Sequence, residues 1–409
     1  MPALALALLV VLSSAALVVD RLSLDTAKSE LQTAAEAAAL AAARELANDD
    51  RLRPEFNSAA LQMKSRMAAA RIASENVIAG EPLSLNIQDD GDVRCGRLKV
   101  DPSTGEVTFI ESEGDDMPTT VAVNARRTSD RDAAVALPFR TFLAPTDADV
   151  VAVAEASINF EVIGMRPVEG LSIPTLPLAI LSQADAVADS DSGKTPETKA
   201  GSSKASQAGK PKRPSVPTWA RDIEKRRGTD RFGYDSATGE VVSSADGIPE
   251  ITLRTAARSN DGNSNAFVVA LTGDTTQASL SRQIRDGWSA DDLEPLGGEL
   301  LFDQGPLQLA GLRGVDGNLL GRALREVLGQ SRVVLLYDRE VGDKRASVAS
   351  LQISGMVAGR VMSVRELSSC ECEVVFQPSV MATRSAVTVE GSLTGCQKNK
   401  YVANLRLTN

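Results

Sequence analysis

The chain has no histidine among its 409 residues. That absence removes Ser-His-Asp and Cys-His triads, imidazole-ligated metals and the commonest general acid or base near neutral pH. Aromatic residues are only 3%, too few to line a sugar- or base-stacking groove. Basic residues are outnumbered, 44 against 54 acidic, giving a net charge of -10. A general nucleic-acid binder needs the opposite balance. Cysteine is scarce as well, and Cys95, Cys370, Cys372 and Cys396 do not form the paired CxxC spacing of a zinc site. In an oxidising compartment Cys396 would pair with Cys370 or Cys372, because all three lie in one strand-rich stretch. The alternative is unpaired, partly buried thiols. Together these absences favour a protein that is not an enzyme and carries no cofactor or metal.

What is present begins at the N-terminus. Residues 1–19 contain no charged side chain, only Met-Pro and a run of Ala, Leu and Val broken by Ser13 and Ser14. At about 1.5 Å per residue the run reaches roughly 28 Å, enough for a bilayer core. A cleaved signal peptide would carry a basic segment first and a shorter apolar core. No Lys or Arg precedes Arg21, and by charge alone the topology is weakly determined. The residues beyond Arg21 favour a retained anchor. Leu22 to Ala47 holds neither Gly nor Pro and is dominated by Ala, a strong helix former. One helix from about Ala3 to Ala47 is therefore predicted, half in lipid and half outside. Leu24, Leu31 and Ala38 recur every seven residues, and the small-residue row Ala34, Ala38, Ala42 would let another helix approach closely. Two roles stay open for this stripe: packing on a partner helix, including a helix-mediated oligomer, or packing on the protein's own globular part.

The same residues carry a family resemblance. Val18-Val19-Asp20, followed by Lys28 to Ala43 (KSELQTAAEAAALAAA), resembles the start of TadG-like (TadE/G-like) proteins of the Flp (Tad) pilus-assembly system. In that family an apolar anchor ends in Asp and an alanine-rich helix with a Leu-Gln pair comes next. Leu31-Gln32 and the block from Ala34 to Ala43 fit, with Glu36 where the family often has Asp. The later order of Val121–Arg127, Val151–Ser157, Val162–Pro167 and Leu176–Ile180 is similar too, so the resemblance covers about residues 1–182. It implies a single-pass protein of the bacterial inner membrane with its domains on the periplasmic side. It also implies contacts with other pilus-assembly proteins and no enzymatic activity. The metal motif Asp-x-Ser-x-Ser of longer family members is not matched by Asp189-Ser190-Asp191-Ser192.

Periodicity and composition divide the rest. An α+β chain is predicted, with the long N-terminal helix followed by two β-rich domains joined by a disordered linker. The anchor is 1–19, its alanine-rich continuation 20–48, an α+β domain 49–182, a flexible linker 183–217 and a β-rich domain 218–409. The linker is rich in Ser, Lys, Asp, Gly and Pro with almost no large apolar side chain, so it cannot offset its ordering entropy. Within 49–182 a helix from Ser58 to Asn76, with Leu61, Met63, Met67 and Ile72 as its apolar positions, is expected to pack on the sheet. Leu83, Leu85 and Ile87 alternate as a strand does. Asp101-Pro102-Ser103-Thr104-Gly105 reads as a hairpin turn, echoed by Asp235 to Gly239. A sandwich or barrel with a helix or two is expected beyond the linker.

Other candidate sites are weak. Asp89-Asp90-Gly91-Asp92 lacks the glycine at the sixth place that a calcium loop needs, and Arg94 stands there. It reads as a solvated turn, as does the acidic run from Glu111 to Asp116. The glycines between Gly262 and Gly317 form no phosphate-binding loop. The function expected is a non-enzymatic, membrane-anchored assembly component of the pilus apparatus. The alternative is a secreted or surface adhesion module acting through the β-rich domain.

Overall fold

The computed structural model describes every residue except 1, 102, 114–115, 138, 140–146, 169, 184–215, 258–263, 273–275, 343–345, 390–397 and 409. The stretch read as a linker lies almost wholly outside the described residues. The class is as predicted: a long N-terminal helix followed by β-rich parts.

Helix α1 runs unbroken over Pro2–Leu46, as its alanine content and lack of interior Gly or Pro dictate. Asn48 then caps a short turn by accepting the Asp50 N–H at 3.0 Å. Arg51 folds back to donate to the carbonyls of Leu46 at 2.9 Å and Pro118 at 3.2 Å, and it stacks 5.0 Å from the Phe160 ring centroid. Burial lowers its pKa to about 10. Helix α2, Ser58–Ser74, starts behind Pro54 with Asn57 accepting the Ala60 N–H at 2.9 Å.

Two compact units emerge, Met1–Val162 with Val380–Asn409, and Ile163–Ser379. This differs from the predicted division at 183–217. The strand Val402–Leu407, placed by sequence in the C-terminal domain, pairs antiparallel with Val150–Asn159. The strand Thr175–Leu181, placed in the first domain, belongs to the sheet of the second unit. Alternating apolar residues specify a strand but not its neighbour.

In the first unit six strands run in the order Met381–Ala382, Val402–Leu407, Val150–Asn159, Thr120–Arg127, Val93–Val100 and Val107–Glu111. The last two form the predicted hairpin. Asp101 accepts the Ser103 N–H at 2.8 Å, and Gly105 takes φ 72°. The inner face presents Val121, Val123, Ala125, Ala152, Ala154 and Ala156 to α1. Small side chains on both partners set a close helix–sheet approach. Leu83 and Leu85 are buried alternately as expected, yet they form no ladder. Helix α2 packs chiefly along α1 rather than on the sheet. Its buried row is Leu61, Ser65, Ala69 and Ala73, whereas Met63 and Met67 face outward.

In the second unit the strands Val348–Ser368, Leu307–Leu312, Ala266–Ala270, Thr175–Leu181 and Ser331–Val341 close into a ring, since the last pairs back with the first. Glu371–Pro378 and Ile251–Arg254 extend it. The only parallel neighbours in the ring are Thr175–Leu181 and Ser331–Val341. Val348–Ser368 is a single strand of 21 residues. Gly359 lets it continue, because a Cβ there would lie 2.3 Å from Phe376 Cε1. Helices Gln277–Asp286 and Gly317–Arg325 pack on this barrel.

Candidate functional site

Among the described residues the most unusual surface is the first half of α1. Leu8, Leu9, Val10, Val11 and Leu12 are each more than half exposed. Five consecutive residues cover more than one full turn, so the helix is bare apolar surface on every side. Among the described residues it is the one helix long and apolar enough to cross a membrane. Its only polar side chains are internally satisfied, since Ser13 and Ser14 donate to the carbonyls of Leu9 and Val10, each at 2.8 Å. Hydroxyls bonded back to the helix suit an apolar medium.

The change at Asp20 is abrupt. Asp20 is buried against the first unit, and its Oδ1 accepts the Phe139 N–H at 3.1 Å. Arg21 points outward to Asp25 at 3.1 Å. Beyond it the helix is progressively covered by its own chain. Leu24 is partly buried, and Leu31, Ala34, Ala38 and Ala42 are fully buried. The five stripe residues predicted from the sequence therefore lie together on one face of α1, and that face is filled by α2 and the six-stranded sheet. The partner-helix and oligomer role is corrected for Leu31, Ala34, Ala38 and Ala42: no surface of theirs is left for a second chain. Polar side chains flank the stripe. Glu30 accepts the Ala79 N–H at 3.0 Å, and Gln32 donates to Glu36 at 2.9 Å.

The acidic cluster is also corrected. Asp92 is a buried structural anion rather than a solvated turn residue. It takes a bidentate pair from Arg131 at 2.6 and 2.9 Å, with Arg126 Nε 3.6 Å away and the Asn86 N–H donating at 2.8 Å. Asp89 instead pairs with Arg66. No group of three Cys, Asp or Glu able to hold a metal occurs among the described residues. Beside this network a cleft of about 340 Å³ is lined by Arg126, Arg127 and Arg131. Its cations are already matched by Asp92 and Glu81. No local signal marked this role: Arg126 and Arg131 stand more than 30 residues from Asp92 in sequence, and only the fold brings them to it.

Cys95, Cys370 and Cys372 are free thiols. Cys396 lies outside the described residues, and with it the pairing expected for Cys370 or Cys372. Burial pushes the Cys95 thiol up and the Cys372 thiol to about 11, so both are unreactive at neutral pH.

The geometry defines a class: an apolar helix able to span a bilayer, continued without a break as the core helix of an α+β unit. Residues 1–45, the length of α1, match the model of the Flp pilus-assembly TadE/G-like family. The match does not extend to residues 46–182, where the sequence order alone suggests the likeness. No curated protein and no solved structure matches the chain.

Proposed function

We propose that the protein is a non-enzymatic, membrane-anchored assembly component of a Flp (Tad)-type pilus apparatus. In this reading residues 1–19 span the inner membrane once, and both units lie on the periplasmic side. The observation that carries the reading is the continuity of α1. Its apolar half is bare, and its alanine half is the buried centre of the first unit. A rigid helix of this kind transmits the position of the membrane segment directly to the body. The match of residues 1–45 to the pilus-assembly family supports the system, and the absence of histidine supports a structural rather than catalytic role.

Because the alanine stripe is used internally, contacts with other pilus-assembly proteins in the membrane fall to residues 2–19. Small Ala3, Ala7, Ala15 and Ala16 alternate there with Leu and Val, a pattern compatible with close helix approach. Photo-crosslinking from Leu8 and Leu12 in cells that assemble the pilus tests this. Adducts with pilus-assembly proteins are expected; adducts with lipid alone would contradict the partner assignment.

A further inference from the structure

The Asp20–Phe139 hydrogen bond does more than cap a loop. It fixes residue 139 at the level of α1 where the apolar run ends, one residue past Val19. Asp20 itself is only 3% exposed, while Phe139 beside it is 47% exposed. A large aromatic side chain is thus held open at the point where the helix would leave lipid. Next to it Val18, Val19 and Leu22 are exposed as well.

A second feature lies at the same level. A cavity of about 420 Å³ runs beside α1; α1 lines it with Val19, Leu22, Ser23, Thr26, Ala27 and Glu30, and Ala79, Val135 and Ala136 close the other side. From Val19 to Ser23 the helix rises about 6 Å. That matches one interfacial layer of a bilayer, about 5–8 Å by the difference between total and hydrocarbon thickness. Along α1 the cavity wall thus passes from Val19 and Leu22 to Ser23, Thr26 and Glu30, the direction a membrane surface requires.

We propose that Phe139 inserts its ring into the interfacial layer of the membrane that α1 spans, giving the first unit a second contact with lipid. The occupant of this surface is membrane lipid, because the surface is continuous with the bare span and ends where the span ends. A single helix leaves the body free to turn about the helix axis; a second contact point off that axis fixes its rotation. Phenylalanine, like Trp and Leu, is among the side chains that interfacial segments bury at the boundary of head groups and acyl chains. The inference rests on the reading of α1 as a membrane span.

The test is site-specific fluorescence of the full chain in vesicles of phosphatidylethanolamine and phosphatidylglycerol. Phe139→Trp reports the surface and Val10→Trp reports the span. Trp219 and Trp288 are buried in the second unit and give a constant background. Acyl chains brominated near the head group should remove most of the emission added at 139 and shift it to the blue. Chains brominated near their ends should quench position 10. Quenching at 10 with red-shifted, unquenched emission at 139 would overturn the proposal and leave the span standing. Quenching at neither position would remove the span and the proposal together. Emission at 139 shielded from both bromine and aqueous iodide would mean that protein covers the ring, and it would also overturn the proposal. An environment-sensitive dye on Phe139→Cys, with Cys370 and Cys396 replaced by Ser, gives the same reading if the indole is not accommodated.

Discussion

Ser65 of α2 donates its hydroxyl to the main-chain carbonyl of Ala42 in α1, at 2.8 Å and out of contact with water. This bond is possible only because Ala42 has no side chain large enough to hold the helices apart. It shows how the alanine row is used. Small residues bring α2 and the sheet so close to α1 that a serine reaches past the helix surface to its backbone. On the sheet side of α2, Cys95 Sγ lies 3.8 Å from the same Ser65 hydroxyl.

Ala38→Leu should therefore destabilise the first unit itself. The added side chain has no room between α1 and the sheet, and overpacking of this kind costs about 1–3 kcal/mol. The expected outcome in detergent is a lower urea midpoint and faster proteolysis of residues 1–162. A variant that folds normally while losing its partners would contradict the internal role of the stripe.

Truncation after Ser379 should weaken the first unit, although the break is more than 200 residues from α2 in sequence. It removes the strand Val402–Leu407 and with it the fully buried Val402 and Ala403. Burial of one valine alone is worth about 1.5–3 kcal/mol. Proteolysis sites mapped by mass spectrometry should open in residues 20–162. Unchanged protection there would instead favour a division of the chain near residues 183–217.

The features legible in the sequence came from local chemistry. Alanine without Gly or Pro gave α1, and the Asp101 turn with Gly105 gave its hairpin. The strands at Val121, Val151 and Leu176 could be read from their own residues. Long-range pairing was not legible: Val402–Leu407 meets Val150–Asn159 across some 250 residues, and nothing in its alternation names that partner. The outward faces of Met63 and Met67 were missed because the α1 surface selects Ser65, Ala69 and Ala73, which are small rather than apolar by type. Asp92 looked like a solvated turn residue because Arg131, which buries it, is brought in by the intervening strands.

Asp92→Asn should be costly and Asp25→Asn nearly neutral. Removing the Asp92 charge takes the ionic acceptor from Arg131 and from the Asn86 N–H. Because Arg131 and Arg126 are 29% and 38% exposed, the loss is that of hydrogen bonds to a charged group, about 1.5–3 kcal/mol. Asp25 and its partner Arg21 are both more than half exposed, and exposed pairs contribute about 0–1 kcal/mol. Equal effects in urea denaturation would show that the two carboxylates do not differ in role.

The Cys372 thiol sets an alkaline pH dependence. Its ordinary pKa of 9.0 is raised by burial to about 11 in the folded protein. The folded state therefore holds the proton more tightly, so the associated stability is fully present below pH 9 and is lost as pH rises toward 11. Tyr337 is raised as well, chiefly by burial, so the contribution is read as the difference between wild type and Cys372→Ala. The fall in urea midpoint between pH 8 and pH 11 should be smaller in the variant. An identical fall in both proteins would contradict the burial of this thiol.

The continuity of α1 from lipid into the first unit is tested most directly by membrane fractionation with N-terminal sequencing. The expected result is that the full chain stays in the carbonate-washed membrane pellet with residues 1–19 intact. A soluble protein whose N-terminus begins between Ala15 and Val19 would contradict it, since the bare apolar half of the helix would then be a removed export signal.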